Sequence, residues 1–137
     1  MEKRTRITLY PRNIVIWLST ITILLLVAHL ITIAMPYIFE GFEHGLVRLL
    51  ISLFFLDGEG NVPAIFSTLL FLINAAIFLI VWKAVCLAGD SPKIWLFLSG
   101  VFVFLALDES ISIHERLIDP LREALGATGI FYYTWII

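Results

Sequence analysis

Long apolar runs alternate with short polar segments along the chain. The first run covers about residues 14–38, the second about 64–84, and a third begins at residue 94. The first two are long enough for a helix to cross a hydrocarbon core of roughly 30 Å. A secretory signal core has only about 7–15 apolar residues, so the first run is expected to be a retained anchor. The pattern predicts an all-α integral membrane bundle.

The third run needs its polar continuation to cross a bilayer. Its uninterrupted apolar part, Ile94 to Leu107, is roughly 21 Å long at 1.5 Å per residue. We therefore expect one helix over about 94–118, with the stretch from Asp108 to Ser112 at the edge of the hydrocarbon and shielded by protein. Asp119-Pro120 offers a helix stop and restart after it, because proline disfavours helix at the preceding residue and is at home in a first turn.

Two shorter apolar segments complete the expected architecture. Between the first two spans, apolar residues recur at helical spacing from Leu46 to Phe54, which predicts a short interfacial helix. Residues 129–137 open a fourth apolar run that is too short to cross, and we favour its continuation beyond Ile137. The prediction is one domain, 1–137, with three full transmembrane helices and the start of a fourth.

Composition and charge restrict the class of partner. Hydrophobic residues make up 61% of the chain and charged residues 15%, against roughly 45–50% and 25% in soluble domains. The formal net charge of −2 offers no basic surface for phosphates, so we expect lipid contacts and no nucleic acid. Basic residues concentrate beside the first span and between the second and third, which predicts a cytoplasmic amino terminus.

The segment LDESISIHERL, residues 107–117, carries the most informative polar residues, because ionisable groups near a span are costly and usually retained for a use. On one continuous helix, Asp108, Ser112 and Glu115 share a face, and Glu109 lies on its flank. His114 points elsewhere on such a helix and would need other helices to join a metal site. The alternative is a purely structural role, in which the carboxylates pair with Arg116 or with backbone groups.

Polar residues from two other helices are expected on the same outer side. Glu59 and Asn61 precede the second span, and His29 lies at a depth in the first span similar to that of Asp108. Together they predict an outward-opening pocket suited to a divalent cation, since hard oxygen donors with one or two imidazoles bind such ions. The alternatives are that Glu59 and Asn61 cap a helix and that His29 hydrogen-bonds to a neighbouring helix.

Three motifs carry a resemblance to a known group of proteins. They are LYPR at residues 9–12, LDGEGNVP at 56–63 and LDESISIHERL at 107–117. With these the chain resembles an uncharacterised family of bacterial multi-pass membrane proteins, whose function is unknown. The resemblance implies a location in a bacterial inner membrane. More distantly, Glu59, Asn61, Ser67 and the Asp108-Glu109 pair are similar to motifs of the alkaline ceramidase superfamily of membrane zinc hydrolases. The histidine pairs of that superfamily do not occur in this sequence.

Two functions fit these observations. The incomplete catalytic set favours a small, non-enzymatic accessory subunit of a larger inner-membrane assembly, for example an energy-transducing complex with other integral subunits. The second is a membrane-embedded metal-dependent hydrolase, with His29 or His114 and the carboxylates Asp108, Glu109 and Glu59 around the ion. A carboxylate would then act as general base on water.

Overall fold

The computed structural model describes residues 10–38, 45–90 and 92–126. The described residues form helices only, which confirms the predicted all-α class. The helices are α1 (Pro11–Ile38), α2 (Gly45–Phe54), α3 (Val62–Leu87), α4 (Lys93–Ile111) and α5 (Ile113–Leu125). Three of them, α1, α3 and α4, are long and apolar enough to cross a membrane, as predicted. The predicted fourth run, 129–137, lies outside the described residues.

The chain divides into two compact units, Met1–Leu56 and Asp57–Ile137. In the first unit, α1 packs against the ten-residue helix α2, which is too short to span a bilayer. Thr32 and Val47 are buried in this unit. Two polar side chains of α1 are satisfied within the helix, since the Thr20 and Thr22 hydroxyls donate to carbonyls four residues earlier. Such internal bonds are what a helix in lipid requires.

In the second unit, α3 and α4 form an antiparallel hairpin. Ring contacts join Phe71 to Phe102 and Phe78 to Trp95, so residue numbers fall along α4 as they rise along α3. At the middle of the pair, the buried Ser99 hydroxyl donates to the carbonyl oxygen of Ala75 over 2.9 Å. Small residues and an interhelical hydrogen bond of this kind hold membrane helices together. The hairpin brings the beginning of α3 beside the end of α4.

The end of α4 differs from the sequence prediction. A continuous helix over 94–118 is wrong, because α4 ends at Ile111 and Ser112 takes the left-handed conformation with φ 55° and ψ 49°. The predicted helix stop and restart at Asp119-Pro120 is also wrong, since α5 continues through Pro120 to Leu125. Pro120 has no N–H to offer the carbonyl of Arg116, but Arg116 is exposed, so water can solvate that oxygen.

Candidate functional site

The polar residues of the second unit meet where α4 gives way to α5. Serine is uncommon in the left-handed region, so surrounding contacts must hold Ser112 there. Its backbone N–H donates to the Asp108 carbonyl over 2.7 Å, and its hydroxyl donates to Oε2 of Glu59 over 2.5 Å. The break therefore ties the segment before α3 to the junction of α4 and α5.

Asp108 fixes the position and orientation of His114 across this break. Its Oδ1 accepts the backbone N–H of His114 and its Oδ2 lies beside the Nδ1 atom of the ring, both at 2.9 Å. The first bond satisfies an amide in the opening turn of α5, as a capping side chain does. Since a carboxylate only accepts, the geometry assigns a proton to Nδ1 of His114. The Nε2 atom is then the ring's lone-pair donor.

Three side chains, including that of His114, come together at the junction of α4 and α5. One potential ligand atom from each of Glu59, His114 and Glu115 lies within 4.8 Å of the others. Oε1 of Glu59 is 3.8 Å from Nε2 of His114, while the other oxygen of Glu59 holds Ser112. The side chains of Glu59 and His114 are about one-third exposed, at 31% and 32%, and Glu115 is exposed. The three residues are therefore reachable from solvent.

This arrangement fits a divalent metal ion. Metal-binding histidines usually donate their second ring N–H to a carboxylate, which fixes the tautomer and makes the ligating nitrogen more basic. Asp108 stands in that relation to His114. One imidazole nitrogen with two carboxylates suits Zn²⁺ or Mn²⁺ better than Ca²⁺, which prefers oxygen ligands alone. We call Glu59, His114, Glu115 and the orienting Asp108 the junction centre.

Glu109 occupies a separate position beside the junction centre. Its side chain interacts electrostatically with Glu59, Asp108 and His114 and hydrogen-bonds to the hydroxyl of Ser67. It also lines a cleft of about 130 Å³ between the beginning of α3 and the end of α4. Ala64, Ile65, Thr68 and Leu69 of α3 also line this cleft. Glu109 thus links the polar cluster to a mainly apolar cleft.

The two remaining site candidates, Asn61 and His29, hydrogen-bond to backbone amides. Asn61 is buried, and its Oδ1 accepts the N–H of Ala64 over 3.0 Å, so it is the N-cap of α3. His29 belongs to the first unit, where its Nδ1 accepts the N–H of Leu56 over 3.2 Å and its ring packs on Phe55. Its place in a metal site stays a prediction.

The prediction that His114 points away from the carboxylates, which assumed a continuous helix, is wrong. That geometry turned His114 away from the carboxylates, whereas the left-handed residue Ser112 rotates α5 so that His114 meets Asp108. The apolar cleft beside Glu109 was not anticipated. Its signal in the sequence is faint: Ala64 and Thr68 are four residues apart and so share one face of α3, where small side chains leave space.

The Asn61 cap can be tested by substitution. Asn61→Ala removes the acceptor for the Ala64 N–H and should lower the free energy of unfolding by about 0.5–2 kcal/mol. Asn61→Ser keeps a side-chain acceptor and should retain most of that stability. Reversible unfolding in detergent micelles, followed by circular dichroism, compares the two variants. Equal stability of the parent and Asn61→Ala would contradict the assignment.

These features define a class, an all-helical membrane protein with a carboxylate and histidine centre at the junction of two helices. Within that class, the chain matches the domain of unknown function DUF8692 over residues 15–137 and belongs to that family. No curated protein and no solved structure matches the chain significantly.

Proposed function

We propose that this membrane domain holds a divalent metal ion at the junction centre and is a membrane-embedded, metal-dependent hydrolase. The observation that carries the proposal is the pairing of Asp108 with His114. It leaves Nε2 of the ring directed at Glu59, 3.8 Å from Oε1, with a ligand atom of Glu115 close by. Three ligands from two segments of chain would leave a further coordination position for water or substrate, as catalytic metal sites do.

Each residue then has a separate role in hydrolysis. A bound divalent ion would supply a Lewis acid that lowers the pKa of water and polarises a carbonyl or phosphoryl oxygen. Asp108 is a positioning residue, because it acts through His114. Glu109 is the expected general base, since it lies beside the junction centre and lines the cleft without belonging to the three ligands. It would accept the proton of the attacking water and return it to the leaving group.

An accessory subunit of a larger membrane assembly is the second candidate. The exposure of α1 favours this candidate. In the most apolar 18-residue stretch of α1, no residue is buried within the protein. Other integral subunits or lipid could cover that surface. In this case the junction centre would be a structural polar cluster that caps α5 and fixes the angle between α5 and α4. We also propose a bacterial inner-membrane location, which the family resemblance implies, and a cytoplasmic amino terminus, which the distribution of basic residues supports.

Titration of the purified protein with Zn²⁺ tests the first candidate. The parent protein should bind about one ion per chain. Glu115→Gln replaces an anionic ligand by a neutral amide and should weaken binding by about a hundredfold or more, since loss of a residue that only orients a ligand costs about 10–100-fold. Glu123→Gln is the matched control, an exposed glutamate of the same helix outside the three ligands. It should leave the affinity unchanged.

Two outcomes of that titration would count against the hydrolase. One is the absence of stoichiometric binding in a folded parent protein, and the other is an equal loss of affinity in Glu115→Gln and Glu123→Gln. Mild-detergent purification followed by mass spectrometry then tests the subunit. Stoichiometric integral partners in a metal-free preparation would favour it over the hydrolase.

A further inference from the structure

Helix α5 separates its aliphatic side chains from its acidic ones, and His114 lies on the same side as the aliphatic residues. At 100° per residue, its aliphatic side chains fall on one arc of about 140°. These residues are Ile113, Leu117, Ile118, Leu121 and Leu125. The three acidic residues of α5 lie on the opposite arc. They are Glu115, Asp119 and Glu123. The helix is strongly amphipathic and, unlike the spans, carries little net hydrophobicity.

The two arginines of α5 lie at the borders between these arcs. Arg116 falls at one edge of the charged arc and Arg122 at the other, with the acids between them. Arg122 pairs with Asp119 at 3.0 Å. Long basic side chains at such borders can lay their methylene stems along an apolar surface while the guanidinium reaches water or phosphate. This charge pattern suits the boundary between lipid chains and headgroups.

No residue of α5 is buried, although the helix follows a span directly. Leu117 is 46% exposed and Leu125 is 58% exposed. Only Ser112 separates α5 from α4, whose 19 residues extend about 28 Å, close to the roughly 30 Å of a bilayer core. The first turn of α5 is therefore at the point where the chain leaves the hydrocarbon.

We propose that α5 lies in the plane of the membrane surface, with its aliphatic arc buried at the headgroup and acyl-chain boundary of a phospholipid bilayer. Such helices enter that boundary by about 5–10 Å. Pro120 supports this depth, because the Arg116 carbonyl that it leaves without a helical donor needs water, which the interface supplies and the hydrocarbon core does not. The inference does not depend on a metal at the junction centre.

Nitroxide scanning in phospholipid vesicles tests this placement. With Cys86→Ala as background, single labels are introduced through Leu117→Cys and Leu125→Cys on the aliphatic arc. Matched labels through Asp119→Cys and Glu123→Cys report on the charged arc. The vesicles contain phosphatidylethanolamine and phosphatidylglycerol, and collision rates are measured with oxygen and with a water-soluble nickel chelate. All four positions are exposed, so the labels should not disturb folding.

The expected result is a ratio of oxygen to nickel collisions at least about twofold higher at positions 117 and 125 than at 119 and 123. Equal ratios at all four positions would overturn the proposal, because the helix would then stand in water. Immobile labels at 117 and 125, shielded from both reagents, would also overturn it, since protein would then cover the aliphatic arc. Circular dichroism of each labelled variant confirms that helix content is retained.

Discussion

Replacing His114 by glutamine is expected to abolish stoichiometric metal binding, lowering the affinity for Zn²⁺ by more than about a hundredfold. His114 supplies the only imidazole among the three converging ligands. Loss of a ligand should lower metal affinity by more than the roughly 10–100-fold lost when a residue that orients a ligand is replaced. Glutamine has no imidazole nitrogen, although it fills a similar volume. Isothermal titration of the folded variant measures the change.

His29→Gln is the control for this prediction. In the first unit, the His29 ring nitrogen already accepts the N–H of Leu56, and a neutral ring with Nδ1 accepting carries its proton on Nε2. The variant should therefore bind Zn²⁺ like the parent protein, even if it is less stable. Loss of binding in His29→Gln with retention in His114→Gln would reverse the assignment and return the site to the first transmembrane helix.

Asp108→Asn is expected to lower metal affinity by about 10–100-fold while leaving the helices folded. The remaining oxygen of the amide can still accept the backbone N–H of His114, but the NH₂ group cannot accept from Nδ1 of the ring. The imidazole then favours the tautomer with its proton on Nε2, the wrong atom for coordination. The same replacement in a catalytic triad is damaging for the same reason.

Asp119→Asn serves as the matched control for Asp108→Asn. Asp119 is also an acid close to the junction, but its side chain is 81% exposed and its partner is Arg122. Metal affinity should not change in this variant. A similar loss in both variants would indicate a general effect of negative charge. Unchanged affinity in Asp108→Asn would contradict the orienting role.

Much of the fold could be predicted because lipid imposes a simple length requirement. An apolar run that covers roughly 30 Å as a helix has few alternatives, so the predicted spans over about 14–38 and 64–84 lie within α1 and α3. The short helix α2 followed from helical spacing of leucines. These features depend on local sequence, and no contact between distant residues is needed to specify them.

The break at Ser112 could not be predicted from local sequence. Serine has no strong preference for the left-handed region, and its neighbours Ile111 and Ile113 continue an apolar pattern. The contacts that hold it come from elsewhere: Glu59 lies 53 positions away in the chain, and Asp108 reaches across the break to His114. A helical wheel drawn through Ser112 therefore misplaces every side chain after it.

The identity of the polar residues was more predictable than their roles. Glu59, Asp108 and Glu115 were candidates because charge is costly near a membrane span. Which carboxylate orients the histidine and which ones converge on it depends on differences of a few ångströms. Such differences arise from packing of the α3 and α4 hairpin and from the turn at Ser112, and no residue pattern encodes them directly.

X-ray absorption at the zinc edge of the Zn²⁺-loaded protein tests the central claim most directly. The account predicts one imidazole nitrogen at about 2.0–2.1 Å with carboxylate oxygens at about 2.0–2.2 Å. The outer-shell scattering of the imidazole should disappear in His114→Gln and persist in His29→Gln. A spectrum without imidazole in the parent protein, or an imidazole signal that survives in His114→Gln, would contradict a metal centre at the junction of α4 and α5.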